Sequence, residues 1–337
     1  MSRRFLASVG ALTVVTAAAS LAPLPLAAQA PTTKTTAVAK TWIPPRTADG
    51  QPDLQGIWNS GTATPLERPK ELEGKAFFSE QEAADYEKRY IERSNTDRPL
   101  REGDTGTYNE FWWEHGTKVQ ADRRTSLVVD PPSGRVPPLT PEAQKKADAA
   151  AAARPLRQAL EAAPNTWEDL TLRDRCIQYR PQPQLPTQNN NNYQIVQGPG
   201  YVAIVQEEIH ETRIIPLDGR PHLSQSLRQW EGDPRGHWEG NTLVVDTTNF
   251  TDKTSFGGSN ANLHLVERYT RVDPDTIEFR FTVEDPTTWT KPWTAAVTWR
   301  KSVGLYEYAC HEGNYATKHS LSGARAQEKA AEQAGKK

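Results

Sequence analysis

Apolar and polar positions alternate with period two along much of the chain after residue 190. In Thr276–Val283, Ile277, Phe279, Phe281 and Val283 fall on one side, and Thr276, Glu278, Arg280 and Thr282 on the other. That is the pattern of a strand with one buried face. Strands are expected over 53–58, 126–129, 193–197, 201–206, 209–215, 242–246, 263–271, 276–283, 293–300 and 305–310. Each run is short, rich in β-branched or aromatic residues, and bounded by Gly, Pro, Asn or Asp. Gly198-Pro199-Gly200, Asp273-Pro274-Asp275 and Gly240-Asn241 supply turns. No helical pattern separates these strands, so the sheet should be antiparallel. A long antiparallel meander closes into a barrel, with a β-sandwich as the alternative.

Two helices interrupt this pattern, and both read as peripheral. Ser79-Glu80-Gln81-Glu82 is a capping box that opens a helix to about Arg93, with Ala83, Tyr86 and Tyr90 on one face. Thr140-Pro141-Glu142 opens a second, with proline at its first position, running through an Ala- and Lys-rich stretch to about Ala153, before Pro155. Residues 326–337 read as a frayed tail or short solvated helix.

The N-terminus follows another logic. Arg3 and Arg4 precede the charge-free, Ala- and Leu-rich run Phe5–Ala22, Pro23 and Pro25 break it, and Ala28-Gln29-Ala30 has the form of a cleavage site. Residues 1–30 are therefore expected to be an export signal cut near Ala28 or Ala30, and 31–41 a flexible leader. Residues 42–325 then form a single β-rich domain. The general secretory route is favoured over the twin-arginine route that Ser2-Arg3-Arg4-Phe5-Leu6 also resembles. The product would be periplasmic or secreted, with no stable membrane anchor.

Composition sharpens this picture. The 337 residues include 40 Lys and Arg against 42 Asp and Glu, a net charge of -2 that argues against nucleic acid as a partner. Signal removal takes away two arginines and the single methionine. With 26 Pro and 10 Trp, the chain suits short strands and ordered loops and is no disordered polymer. Two cysteines, Cys176 and Cys310, are expected to pair in an exported chain; a catalytic thiol at Cys310 beside His311 is the alternative. The bridge would close a loop of about 134 residues, adding roughly 3 to 5 kcal/mol in the chain-entropy model.

Two resemblances follow from particular blocks. Asp53-Leu54-Gln55-Gly56-Ile57-Trp58 resembles the first strand of lipocalin-like barrels, whose Gly-x-Trp lays an indole across one end of the barrel. Residues 124–132, 214–222, 236–250 (GHWEGNTLVVDTTNF) and 306–314 (YEYACHEGN) resemble a large uncharacterised family of exported bacterial proteins. The second resemblance implies one exported, single-domain protein and assigns no catalytic residue.

Candidate chemistry lies in histidines and carboxylates. Glu267 alternates with Leu263, Leu265 and Tyr269, which puts a carboxylate on an apolar face; it must be paired, protonated or functional, and Arg213 is a partner on a neighbouring apolar face. The segment from Asp233 to Gly240 gathers Asp233, Arg235, His237 and Trp238 and reads as a loop at the barrel mouth. His210 lies among Glu207, Glu208 and Glu211, and His222 follows a turn. His210, His222, His237, Asp233 and Glu267 are the acid–base candidates. Arg235, Arg220, Trp238 and Trp113 are the substrate-binding candidates, Arg235 as anchor for an anionic group. No cofactor is expected; a divalent metal could be held by His210, His222, His237 or His311. Asn189–Asn192 offer amides for sugar hydroxyls, and in Trp112-Trp113 only one indole need be buried.

Serine-hydrolase elbow, P-loop, dinucleotide fingerprint and haem-attachment motifs are absent from the sequence. The leading expectation is an exported enzyme of hydrolase, lyase or isomerase type, acting on a small or oligomeric organic ligand. A non-catalytic ligand-binding barrel and a structural envelope protein are the alternatives.

Overall fold

A computed structural model describes residues 42–97, 99, 109–161 and 164–335, without the side chains of 153–161 and 210. The expected signal and leader lie outside the described residues. From Trp42 onward the chain forms one compact unit.

The strands are β1 (Gly56–Asn59), β2 (Val128–Asp130), β3 (Asn192–Gly198), β4 (Tyr201–Gln206) and β5 (Thr212–Pro216). Then come β6 (Asp233–Glu239), β7 (Thr242–Thr248), β8 (His264–Asp273), β9 (Thr276–Glu284) and β10 (Trp293–Lys301). Nine of them form a nearly closed antiparallel barrel in the order β5-β4-β3-β1-β10-β9-β8-β7-β6. The expectation of a lipocalin-like barrel holds. It is built from two meanders, β3–β5 and β6–β10, joined through β1, which pairs with both β3 and β10. Because β1 is short, β2 takes the other part of the same β10 edge, pairing near Thr294 and Ala295.

The barrel's two end strands, β5 and β6, meet through side chains. A Cβ on Gly236 of β6 would lie 2.7 Å from Ile215 and 2.6 Å from Leu217. Only glycine lets the strands approach this closely.

Inward positions carry the expected alternation, with Leu265, Tyr269, Ile277, Phe279, Phe281, Val283, Val297 and Trp299 all buried. Trp58 of β1 is buried in the core, its Nε1 donating to the Leu54 carbonyl at 2.9 Å, with the Arg271 guanidinium 5.3 Å from its ring centre.

Three helices are described: α1 (Glu80–Ser94), α2 (Pro141–Glu161) and α3 (Ala316–Ala334). The Ser79 capping box is present, with Glu82 N–H donating to Ser79 Oγ and Ser79 N–H to Glu82 Oε2. Ala83, Tyr86 and Tyr90 pack with Phe78 and Val119 in a second, smaller core. α2 runs through Pro155, because the flanking alanines propagate a helix that loses one hydrogen bond there. Residues 326–334 are the exposed end of a helix, the second of the two forms expected there. α3 starts ten residues before position 326, and Arg325 donates to the Asn165 and Pro164 carbonyls.

Two strand expectations fail. Residues 305–310 form no strand; they lead into the loop that the Cys176–Cys310 disulfide fixes, with Cα atoms 5.8 Å apart. Residues 233–239, read as a loop on their Pro and Gly, form β6. As an end strand β6 has a ladder partner on one side only, so Pro234 is tolerated.

Candidate functional site

The barrel interior is filled. Tyr193 stacks on Trp299 (4.4 Å between ring centres), and Tyr269 and Phe279 close around them. A cavity beside these rings has a volume of about 10 Å³, roughly the room for one water. Its polar wall holds Gln182, Gln184, Gln206, Arg213 and Glu267. Burial pushes the Tyr193 hydroxyl up to about 12 and the Tyr269 hydroxyl well above its ordinary value.

Glu267 and Arg213 form the expected pair. Arg213 Nη1 donates to Glu267 Oε1 at 2.9 Å and Nη2 to Oε2 at 2.5 Å, and Tyr269 OH donates to Oε1 at 2.9 Å. Their side chains are only 3% and 1% exposed. Burial opposes the Arg213 charge, but Glu267 outweighs it and holds the guanidinium above its ordinary value. The pair joins β5 to β8 across the nearly closed side of the barrel. Both Glu267 oxygens are engaged by these donors.

Beyond this pair, at the end of the barrel, carboxylates and amides gather. The β4–β5 connection is tight: Gln206 N–H donates to the Glu211 carbonyl, and Ile209 adopts φ +56°. A left-handed conformation is strained for a β-branched residue and is held only by its surroundings. The connection turns Glu207 and Glu208 inward, both buried. Asn192 donates to Glu207 Oε2 through its backbone N–H and Nδ2. Arg180 Nε donates to Glu208 Oε2 at 2.7 Å, while the buried Glu208 Oε1 has no partner among the described residues. Burial, against the pull of Arg180, raises Glu208 to about 7.

Glu211 and Glu231 stand side by side, both half-buried. Gln178, Gln182 and Gln206 each donate an amide N–H to Glu231, the last at 3.4 Å. Burial first, and then the charge and hydrogen bond of Glu231, raise Glu211 to about 9. The protonated form of Glu211 is favoured beside Glu231, which three amides support. The Oε1 of Gln206, on the cavity wall, is buried without a partner among the described residues.

A second network lies on the outer wall. His222, from the β5–β6 connection, bridges Asp233 Oδ2 (Nδ1, 3.2 Å) and Asp246 Oδ1 (Nε2, 2.8 Å). His264 bridges Asp246 Oδ2 (Nε2, 2.8 Å) and Glu284 Oε2 (Nδ1, 3.3 Å). Four adjacent strands carry these groups, with Asp246 opposite Arg235 and His264 opposite Glu284. The hydrogen bond to Asp246 leads in raising His264, and that from His264 leads in lowering Asp246. Both ring nitrogens of His264 face carboxylates, an arrangement that favours its protonated form.

Of the sequence-derived candidates, His222, Asp233 and Arg235 thus come together. The Arg235 guanidinium donates to Asp233 Oδ1 and to the Pro234 and Pro221 carbonyls, because β6 turns it along the wall. His237 is exposed and meets Glu239. Arg220 is exposed and holds Asp218 and the Tyr201 hydroxyl. Trp238 packs against the core with its Nε1 buried and unpartnered among the described residues. Trp113 stacks on His115 at 6.0 Å, while Trp112 is 64% exposed; the segment is not extended as expected, because Trp112 ends a 3-10 turn over Glu110–Trp112.

His311 lies exposed in the disulfide loop, remote in sequence and strand from His222. The His210 side chain lies outside what is described. Among the described residues no three His, Cys, Asp or Glu side chains converge to hold a metal ion. Asn191 and Asn192 tie the chain to itself, through Thr187 and Glu207, in place of an open amide rim.

Glu208, Glu211, Glu231, Asp246 and His264 were not among the site candidates. Glu207, Glu208 and Glu211 stood out only as neighbours of His210, and the glutamines and Glu231 carried no local signal. No known family profile matches the chain, and no curated protein shows significant similarity to it. No described helix is long and apolar enough to cross a membrane.

Proposed function

We propose that this chain is an exported enzyme that acts on a small or oligomeric organic substrate by acid–base chemistry, with Glu211 and Glu231 at the barrel end as the proton-handling pair. The observation that carries the reading is the side-by-side placement of Glu211 and Glu231, with three amides on Glu231 and burial raising Glu211 to about 9. A carboxylic acid and a carboxylate side by side can give a proton to one substrate atom and take one from another. Gln178, Gln182 and Gln206 support Glu231 as the base, and both carboxyls are half-exposed, within reach of a ligand. The packed interior favours a substrate that approaches the barrel end over one enclosed in the barrel. The disulfide suits an oxidising compartment and supports export.

The test is a panel of glycosides, esters and lactones assayed with the wild type and Glu211→Gln. Turnover should fall by about a hundredfold or more, with the circular dichroism unchanged and the wild-type rate declining as Glu211 ionises. Equal turnover by the two proteins removes the pair from the reaction. Saturable binding without turnover in either would favour the ligand-binding alternative.

A further inference from the structure

We infer that a second site, on the outside of the barrel beside β2, binds a small monocarboxylate with an apolar body. The pocket has a volume of about 220 Å³. Arg68, Arg124 and Asp122 supply its charges, and Phe77, Val128 and Pro132 much of its apolar wall.

Arg68 is the reason to expect an anion. The residue is 7% exposed, and its described acceptors are all neutral: Thr125 Oγ1 at 2.8 Å, Ser133 O at 2.7 Å and Pro132 O at 3.2 Å. These use Nε and Nη1. Nη2 has no acceptor, and no carboxylate pairs with the guanidinium, among the described residues. A buried charge without a counter-charge is unfavourable, and a bound anion would relieve it.

The neighbouring cation does not cancel this demand. Arg124 Nε meets both Asp122 oxygens at 2.9 Å, which balances that pair, and its Nη1 donates to the Ala296 carbonyl. Its Nη2 likewise has no acceptor among the described residues. The three charged groups sum to one uncompensated positive charge, with two free guanidinium amino groups to receive a carboxylate.

The site is built, with little slack. Arg68 N–H donates to the Gly134 carbonyl at 2.7 Å, Phe78 N–H to Arg123 O and Thr125 N–H to Ala76 O, which fix the walls. Gly134 has φ +71°, and a Cβ there would lie 2.7 Å from Arg68 Nη2. Phe77, 58% exposed at the rim, offers a ring face to an apolar ligand body. Asp122 stands against highly charged anions such as phosphate, since like charges repel.

Benzoate tests the inference, with benzamide as its neutral isostere and inorganic phosphate as the bare anion, each titrated into the full chain by calorimetry. Benzoate should bind saturably. Benzamide and phosphate should each bind at least about tenfold more weakly. Arg124→Gln should weaken benzoate by about tenfold, and Phe77→Ala by several-fold. Arg68→Gln removes a buried structural contact, so Arg124→Gln, at the pocket edge, is the decisive variant. Glu211→Gln should leave benzoate binding unchanged, whatever becomes of the proposed barrel-end chemistry. The inference is overturned by absent saturation, by benzamide or phosphate binding as well as benzoate, by an unaffected Arg124→Gln, or by loss of binding in Glu211→Gln.

Discussion

Glu267 shows how far a single residue can be read. Its place on an apolar face demanded a partner, and Arg213 is that partner, in a two-pronged contact. Removing one member leaves the other charged and buried. Glu267→Ala is therefore expected to lose about 3 to 5 kcal/mol of stability in urea unfolding. Replacing both by apolar residues of similar volume should recover much of that. Glu211 is different, because its pKa is raised by burial and by a group from a distant segment. Raised carboxyls bind more protons in the folded state than in the unfolded chain. Between pH 4.5 and about 9, Glu211 therefore makes stability fall as pH rises, by up to about 1.4 kcal/mol per pH unit for one proton. Glu208 adds the same sign up to about 7. Glu211→Gln should flatten that slope in unfolding curves measured across this range.

At the scale of elements, β6 marks where local reading reverses. Pro234, Gly236 and Gly240 signal a loop, yet β7 supplies a ladder and β5 lies close on the other side. Gly236 is required by that approach, so Gly236→Val should destabilise by about 1 to 3 kcal/mol in thermal melts. The outer ladder is also an element-scale object, since four strands and one connection contribute to it. Two opposite signs set its pH window. His264, raised, contributes stability that is full below its unfolded value of 6.5 and is lost as pH rises through its folded value. Asp246, lowered, contributes stability above 3.8 that is lost as pH falls through its folded value. Asp246→Asn should accordingly cost about 1 kcal/mol or more near pH 5.5. The loss should shrink in alkaline solution, which unfolding at the two pH values would measure.

For the whole molecule, one covalent tie spans most of the barrel. Cys176 and Cys310 are 134 positions apart, and Asn314 beside the bridge donates to the Asp174 carbonyl. Cys176→Ser with Cys310→Ser should lower the denaturant midpoint by the equivalent of up to about 5 kcal/mol. Reduction of the wild type should approach the same value. Little change would mean that the unfolded chain already holds these segments together.

The strand-rich, antiparallel character, the Ser79 cap and the inward Trp58 were legible because each depends on residues within a few positions. Glu267 was legible because alternation assigns a face without any knowledge of the partner strand. The order of the strands was not, because β1 joins two meanders through pairings that local spacing does not encode. The Glu211–Glu231 pair and the His222–Asp246–His264 ladder were likewise decided by tertiary structure. Their members come from different strands and connections, and a hydrogen bond between them exists only once the barrel brings those segments within reach. The sequence by itself determined which faces must be buried and which chain segments must turn. Closure of the barrel decided which charges meet, because periodicity carries facing but not neighbourhood.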